Sequence, residues 1–205
     1  MGGNLLCFLD LETTGHDPLK KYDKALIPWH EIIEIGVIIA DPLKLNMLGE
    51  FEVKVKPDYP ERCLPNLINE FTQRAINGEW DNAESLDDAI RQLFDYCRRF
   101  NSLLILAGQN FSFDWSFLSV AFARCAINES EWSKLFHYSR LDVRSMAVQE
   151  FHNPKTQLNP AEYSLRNNIF SDKLGIPMES YPHKALNGAR QSFMVYKKIK
   201  ELRML

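Results

Sequence analysis

Two acidic side chains stand two residues apart where an apolar segment meets turn-forming residues. Residues 5–9 are apolar, and they run into Asp10-Leu-Glu12-Thr-Thr-Gly15. Strand side chains alternate between two faces with a period of two, so Asp10 and Glu12 share a face. Hard divalent ions such as Mg²⁺ take oxygen ligands and are held by one or two carboxylates plus substrate phosphates. A cation site and an ordinary strand end with two solvated acids both fit this pair.

A second polar stretch follows a buried-strand pattern at Leu103–Leu106 and opens a predicted helix. It carries Asn110 and Asp114. A carboxylate near a helix N-terminus is favoured by the helix dipole, so Asp114 fits a capping acid. Asn110 fits a turn residue equally well. These two residues alone do not separate a structural role from a functional one.

A third stretch places His183 just before the last predicted helix. A histidine at this place is ordinarily a surface or capping residue, and catalysis is the less common alternative. Its neighbours include Asn187 and Gly188.

The elements that position these residues follow from hydrophobic periodicity. Strands come first and then alternate with helices, which predicts an α/β sandwich with a mixed sheet. Glu34 interrupts an apolar strand, so it must lie at an edge or pair with a cation or a loop amide. The predicted strands are 4–10, 32–39, 49–56 and 103–106, with a short strand or turn at 141–143. The predicted helices are 66–76, 86–100, 115–125, 144–151, 163–174 and 185–202, and residues 16–30 and 153–160 are predicted loops.

The loop at 16–30 contains three lysines with Tyr22 and Trp29 among them. Basic residues hold a phosphate backbone, and aromatic rings stack on bases, so this loop could bind nucleic acid beside the metal site. A plain hairpin insertion fits the same residues.

Composition sets wider bounds. The 205 residues are 45% hydrophobic and 25% charged, as expected for one globular domain. The net charge of −3 argues against a large non-specific nucleic-acid coat, yet it allows a nuclease whose metal ions neutralise phosphate locally. The four cysteines have no zinc spacing, and Cys7 is expected to be a buried free thiol. With no signal peptide and no membrane span expected, the predicted location is a reducing cytoplasm.

In this order, the stretches resemble the DEDD-type 3′→5′ exonuclease superfamily in its His-containing branch. Relatives in that branch include the proofreading epsilon subunit of the replicative polymerase and oligoribonuclease. The most specific string is Phe8-Leu-Asp-Leu-Glu-Thr-Thr-Gly15, followed by Asn110-Phe-Ser-Phe-Asp114. The resemblance implies a ribonuclease H-like α/β fold, a mixed five-stranded sheet flanked by helices. It also implies a single exonuclease-like domain over residues 1–205.

The resemblance implies a chemistry as well. Two ions, Mg²⁺ or Mn²⁺, would be held by Asp10, Glu12 and Asp114, and such pairs clamp the attacking and leaving oxygens of a phosphodiester. His183 would take the proton from the attacking water. The expected reaction releases nucleoside 5′-monophosphates from a 3′ end. The residues expected to contact the substrate are Thr13, Thr14 and Asn110.

One position departs from the family pattern. The family places an acid five residues after the histidine, where this chain has Gly188. Asn187 is neutral and is rotated by about 100° along a helix. The open interpretations are weaker binding of one ion, an acid from elsewhere, completion by substrate phosphate, and a degenerate domain that only binds nucleic-acid ends. The candidates for the other acid are Asp142 and Glu179.

Substrate and partners also stay open. The expected ligands are 3′ ends of single-stranded DNA or RNA, and a DNA polymerase or a second copy of the chain is the expected protein partner. A different class is a phosphate-binding regulatory module without nuclease activity. That module would bind nucleic acid in the presence of EDTA, whereas the metal site predicts binding that EDTA removes.

Overall fold

The computed structural model of the chain describes residues 4–151 and 173–204. In chain order the strands are β1 (Leu5–Thr13), β2 (Leu19–Tyr22), β3 (Ala25–Pro28), β4 (Ile32–Asp41), β5 (Asn46–Lys54), β6 (Leu104–Gly108) and β7 (Phe136–Asp142). The helices are α1 (Phe71–Ile76), α2 (Leu86–Arg98), α3 (Ser112–Arg124), α4 (Glu129–Trp132), α5 (Val143–Phe151) and α6 (Ala185–Leu202).

A five-stranded sheet in the order β5-β4-β1-β6-β7 forms the centre of the fold. β1 runs antiparallel to β4, and β4 runs antiparallel to β5. β6 is parallel to both β1 and β7. The predicted fold class, a mixed five-stranded α/β sheet flanked by helices, is therefore confirmed.

The alternation of β1 divides the core into two layers. Cys7 and Leu9 belong to the layer that contains the buried faces of α2 and α3. Leu6 and Phe8 belong to the layer of α5 and α6. The even-numbered positions of β1 therefore point toward α6, and this parity carries Asp10 to the same side. Cys7 is a buried free thiol, as predicted.

Gly36 of β4 allows the start of α6 to lie directly on the sheet. A Cβ atom at this position would be 2.2 Å from the carbonyl carbon of Ala185 and from the amide nitrogen of Leu186. Gly36 is also the antiparallel partner of Asp10 in the register of β1 and β4. The close approach therefore brings the first turn of α6 beside Asp10.

The structure corrects several predicted boundaries. The segment 16–30, predicted as a loop, contains β2 and β3 paired as a two-stranded hairpin, which the alternative of a hairpin insertion allowed. The helix predicted at 66–76 begins only at Phe71, and the short strand predicted near Asp142 is the end of the seven-residue β7. The short helix α4 was missed. Most of the predicted helix at 163–174, and the predicted loop at 153–160, lie outside the described residues.

Among the helices of the described residues, none combines the length and the apolar character needed to cross a bilayer.

Candidate active site

A cleft of about 460 Å³ lies where β1 meets the first turns of α3 and α6. Its lining brings together residues that are far apart in the chain. The predicted site residues that line it are Asp10, Glu12, Thr13, Asn110, Asp114 and His183. Glu179 and Gly188 line it as well.

Asp10 occupies the space beside Gly188. A Cβ atom at Gly188 would lie 2.4 Å from one carboxylate oxygen of Asp10 and 3.0 Å from the other. The Asp10 carboxylate therefore rests against the backbone of α6 at the position where the family carries its last acid. Asn187 points elsewhere, because its side chain contacts Ser180 and Arg190.

Asp114 lies in the first turn of α3 and is buried, with 3% of its surface exposed. Its carboxylate accepts the amide N–H of Leu11 at 3.0 Å, which attaches α3 to the end of β1. The pKa of Asp114 is raised to about 8, chiefly by burial and in smaller part by the charges of Glu12 and Asp142, while the N–H of Leu11 opposes the shift. A cation in the cleft would favour the ionised form of this carboxyl.

His183 contacts one acid and lies near a second from a distant part of the chain. Its Nδ1 lies 3.2 Å from a carboxylate oxygen of Glu179. Ligand atoms of Glu12, Glu179 and His183 all lie within 4.8 Å of one another. This grouping combines two carboxylates and an imidazole in a cleft that also holds Asp10 and Asp114.

A buried ion pair supports the backbone that carries His183. Arg74 of α1 forms an ion pair with Glu34, which is fully buried in β4. The other oxygen of Glu34 accepts the N–H of Ala185 at 3.2 Å. Arg74 also donates to the carbonyl oxygens of His183 at 3.3 Å and of Asn69 at 3.0 Å.

Glu34 therefore has both of the partners that the sequence allowed, a cation and an amide. Burial raises its pKa, and the charge of Arg74 and the amide of Ala185 oppose that effect. Arg74 was missed at the level of sequence, since an arginine in a six-residue helix has no distinguishing local pattern.

The three predicted substrate-binding residues differ in their surroundings. Thr14 is fully buried. Its hydroxyl oxygen accepts the N–H of Glu31, and the backbone N–H of Thr14 donates to the Glu31 carbonyl. The hydroxyl of Thr13 donates to the Gly15 carbonyl at 2.6 Å. Asn110 is exposed at the mouth of the cleft with a positive φ of 53°. Thr13 and Asn110 can face a substrate, whereas Thr14 serves the turn.

The hairpin of β2 and β3 has a basic and aromatic surface. The Lys20 ammonium lies 3.8 Å from the ring centre of Trp29, and the Arg62 guanidinium lies 4.7 Å from it. Tyr22 is 70% exposed. Two cations thus lie over the Trp29 ring, whereas the Tyr22 ring is open to solvent and available for stacking.

The donor set of the cleft fits a divalent cation. Carboxylate oxygens suit Mg²⁺ and Mn²⁺, and an imidazole nitrogen is a common ligand for transition metals. Several carboxylates held close together repel one another unless a cation offsets their charge. The residues that could hold such an ion are Asp10, Glu12, Asp114, Glu179 and His183.

The model of an exonuclease family, RNase T, matches residues 7–193. No curated protein matches the chain at a significant level.

Solved structures share the fold. The nuclease domain of 3′hExo, a DEDDh family member bound to rAMP, is 15% identical with a TM-score of 0.65, over 98% of this chain and 92% of that one. The zinc-bound E. coli ExoI–ssDNA complex is 18% identical with a TM-score of 0.68, over 98% of this chain and 41% of that one. Exonuclease I from Methylocaldum szegediense is 22% identical with a TM-score of 0.67, over 97% and 41%. The chain thus spans less than half of the two exonuclease I chains.

Proposed function

Because the chain belongs to the RNase T exonuclease family, in the DEDD-type superfamily, we propose that it is a metal-dependent 3′→5′ exonuclease. The proposed products are nucleoside 5′-monophosphates, released from single-stranded DNA or short RNA. The observation that carries this proposal is the cleft that gathers Asp10, Glu12 and Asp114 around His183. We further propose that residues 1–205 act as one exonuclease-like domain.

The residues have distinct proposed roles. Asp10, Glu12 and Asp114 would hold Mg²⁺ or Mn²⁺, which polarises the phosphate and lowers the pKa of bound water. His183 would accept the proton of the attacking water. The contact of Nδ1 with Glu179 supports the tautomer that carries its proton on Nδ1 and leaves Nε2 as the acceptor. Thr13 and Asn110 would contact the terminal nucleotide, and the basic hairpin would contact the strand that leads to it.

Activity on defined substrates tests the proposal. Purified chain should shorten 3′-extended, labelled single-stranded DNA or short RNA in Mn²⁺ and release 5′-monophosphates. EDTA should stop the reaction. Asp10→Asn should lower the rate by about a hundredfold or more, because it removes a charged ligand. Asp95→Asn is the matched control, since Asp95 lies in an exposed ion pair on α2, away from the cleft.

The comparison of a dinucleotide, a longer RNA and a mismatched DNA end would identify the substrate. A wild-type chain that cleaves none of them in Mn²⁺ or Mg²⁺ would overturn the proposal.

A second function is favoured by Gly188, which removes an acid that the family pattern expects. In that case the domain binds nucleic-acid ends without cleaving them. Binding of a 3′ end with no product formed, in metal-saturated conditions, would support this function. Binding that persists in EDTA would instead indicate a phosphate-binding module, which does not use the metal site.

A further inference from the structure

At Gly188, where the family pattern places an acid, the space for a side chain is already occupied. Asp10 fills the space beside the Cα atom of Gly188, so the cleft holds no room for a side chain there unless Asp10 turns away. A fourth carboxylate must therefore approach from another direction. The sequence offers Asp142 and Glu179 as candidates.

Both carboxylate oxygens of Asp142 accept hydrogen bonds from backbone N–H groups at the starts of two helices. One of its oxygens accepts the N–H of Phe111, just before α3, at 3.0 Å. The other accepts the N–H of Ser145 in the first turn of α5 at 2.8 Å. This arrangement is that of a capping acid, which satisfies backbone donors that a helix leaves without partners. Asp142 is also absent from the residues that line the cleft.

Glu179 differs from Asp142 in that one of its oxygens accepts a backbone N–H, while the other lies 3.2 Å from Nδ1 of His183. One of its oxygens accepts the N–H of Lys184 at 3.2 Å, which anchors the side chain at the start of α6. Its carboxylate nevertheless lines the cleft, and only 11% of the side chain is exposed. A ligand atom of Glu179 lies within 4.8 Å of those of both Glu12 and His183. Two nearly buried carboxylates at this separation are stabilised by a shared cation.

Resting on the proposed function, we propose that Glu179 supplies the carboxylate that is missing at Gly188. Glu12 and Glu179 then hold one divalent cation between them, with His183 at its side. The ligand set keeps its count of acids, although the fourth acid comes from the segment before α6 and not from the helix itself.

Metal binding without nucleic acid tests this assignment independently of cleavage. Mn²⁺ is titrated into the metal-free chain of residues 1–205, and the free ion is followed by electron paramagnetic resonance, with calorimetry as a second measurement. Glu179→Gln keeps the size of the side chain and can still accept the N–H of Lys184. We expect it to weaken Mn²⁺ binding at least about tenfold, as Glu12→Gln should. Asp142→Asn, the matched control, should stay within about threefold of the wild type.

The outcomes separate the two proposals. Wild-type Mn²⁺ affinity in Glu179→Gln overturns the assignment, and a slower nuclease with that unchanged affinity would show that Glu179 acts only by orienting His183. A selective loss of affinity in Asp142→Asn also overturns it. A wild-type chain that binds Mn²⁺ through Glu179 but cleaves no substrate supports this assignment while it overturns the exonuclease function.

Discussion

Two glutamates that face each other across adjacent strands have different surroundings. Glu12 of β1 and Glu34 of β4 are direct partners in the antiparallel register, and both are largely buried. Glu34 has a protein cation, Arg74, and a backbone amide as partners. Glu12 lies in the cleft with Glu179 and His183 as members of one potential ligand group.

The same residue type has a structural role at Glu34 and a proposed chemical role at Glu12. The protein supplies the counter-charge for Glu34 from α1, so this pair joins α1, β4 and the start of α6. Around Glu12 it gathers carboxylates that a divalent cation would stabilise. Arg74 of the buried pair donates to the backbone carbonyl of His183, and the His183 side chain lines the cleft. The Glu34–Arg74 pair therefore helps to position the cleft.

Exchange of each glutamate for glutamine tests this contrast most strongly. Glu12→Gln should lower nuclease turnover by about a hundredfold or more, because it removes a proposed metal ligand. Its melting temperature without metal should stay the same or rise, since a repulsive charge is lost. Glu34→Gln should instead lower the melting temperature and reduce turnover of the folded protein less than about tenfold. Equal turnover losses in both variants would contradict the division of roles.

Removal of Arg74, the counter-charge of Glu34, tests the structural role of this buried ion pair. Arg74→Met leaves Glu34 buried without its cation, so the free energy of unfolding should fall by about 3–5 kcal/mol. Urea unfolding at neutral pH measures this loss. Arg91→Met breaks only the exposed pair with Asp87 and should leave the free energy of unfolding close to that of the wild type. Adding Glu34→Gln to Arg74→Met should recover part of the stability, and a single-variant loss below about 1 kcal/mol would refute the structural role.

Two substitutions at Gly188 sharpen the view of the cleft. Gly188→Ala places a Cβ atom where the Asp10 carboxylate lies, so Asp10 must turn away. We expect Mn²⁺ affinity to fall about fivefold to tenfold. Gly188→Asp has the same steric effect but adds an acid at the family position, so it should bind Mn²⁺ more tightly than Gly188→Ala. Equal affinities in the two variants would show that an acid at this position is of no use to the site.

The pH dependence of stability should show a smaller effect of the Arg74 network. Hydrogen bonds from Arg74 and Lys54 lower the pKa of Glu79 from 4.5 to about 2, although partial burial opposes the shift. A carboxyl with a depressed pKa stabilises the fold above its unfolded pKa, and this stability is lost as the pH falls from about 5 to about 2. Because the side chain is partly exposed, we expect about 1–2 kcal/mol, less than full linkage would give.

Urea unfolding at several pH values between 7 and 2 should therefore show a shallower decline for Glu79→Gln than for the wild type. Parallel declines in the two proteins would show that Glu79 does not contribute.

Local sequence patterns predicted much of the fold. The apolar residues of β1 and β4, with the helical spacing of α2 and α6, were enough to predict a mixed α/β sheet. Period-two alternation put Asp10 and Glu12 on one face, and both line the cleft. A hairpin was only one alternative for residues 16–30, because the mostly exposed four-residue strands β2 and β3 lack the hydrophobic period that would have predicted their bounds.

By itself, therefore, the sequence determined most of the longer elements, the carboxylate pair on β1 and the absence of an acid at Gly188, since these depend on residue type and local spacing. Only the tertiary structure separated Asp142 from Glu179, and only it showed that Arg74 supports His183. The reason is physical, because α6 reaches the end of β1 through the close approach at Gly36. That contact joins residues with no local relation in the chain, and it decides which acids share the cleft with Asp10 and Glu12.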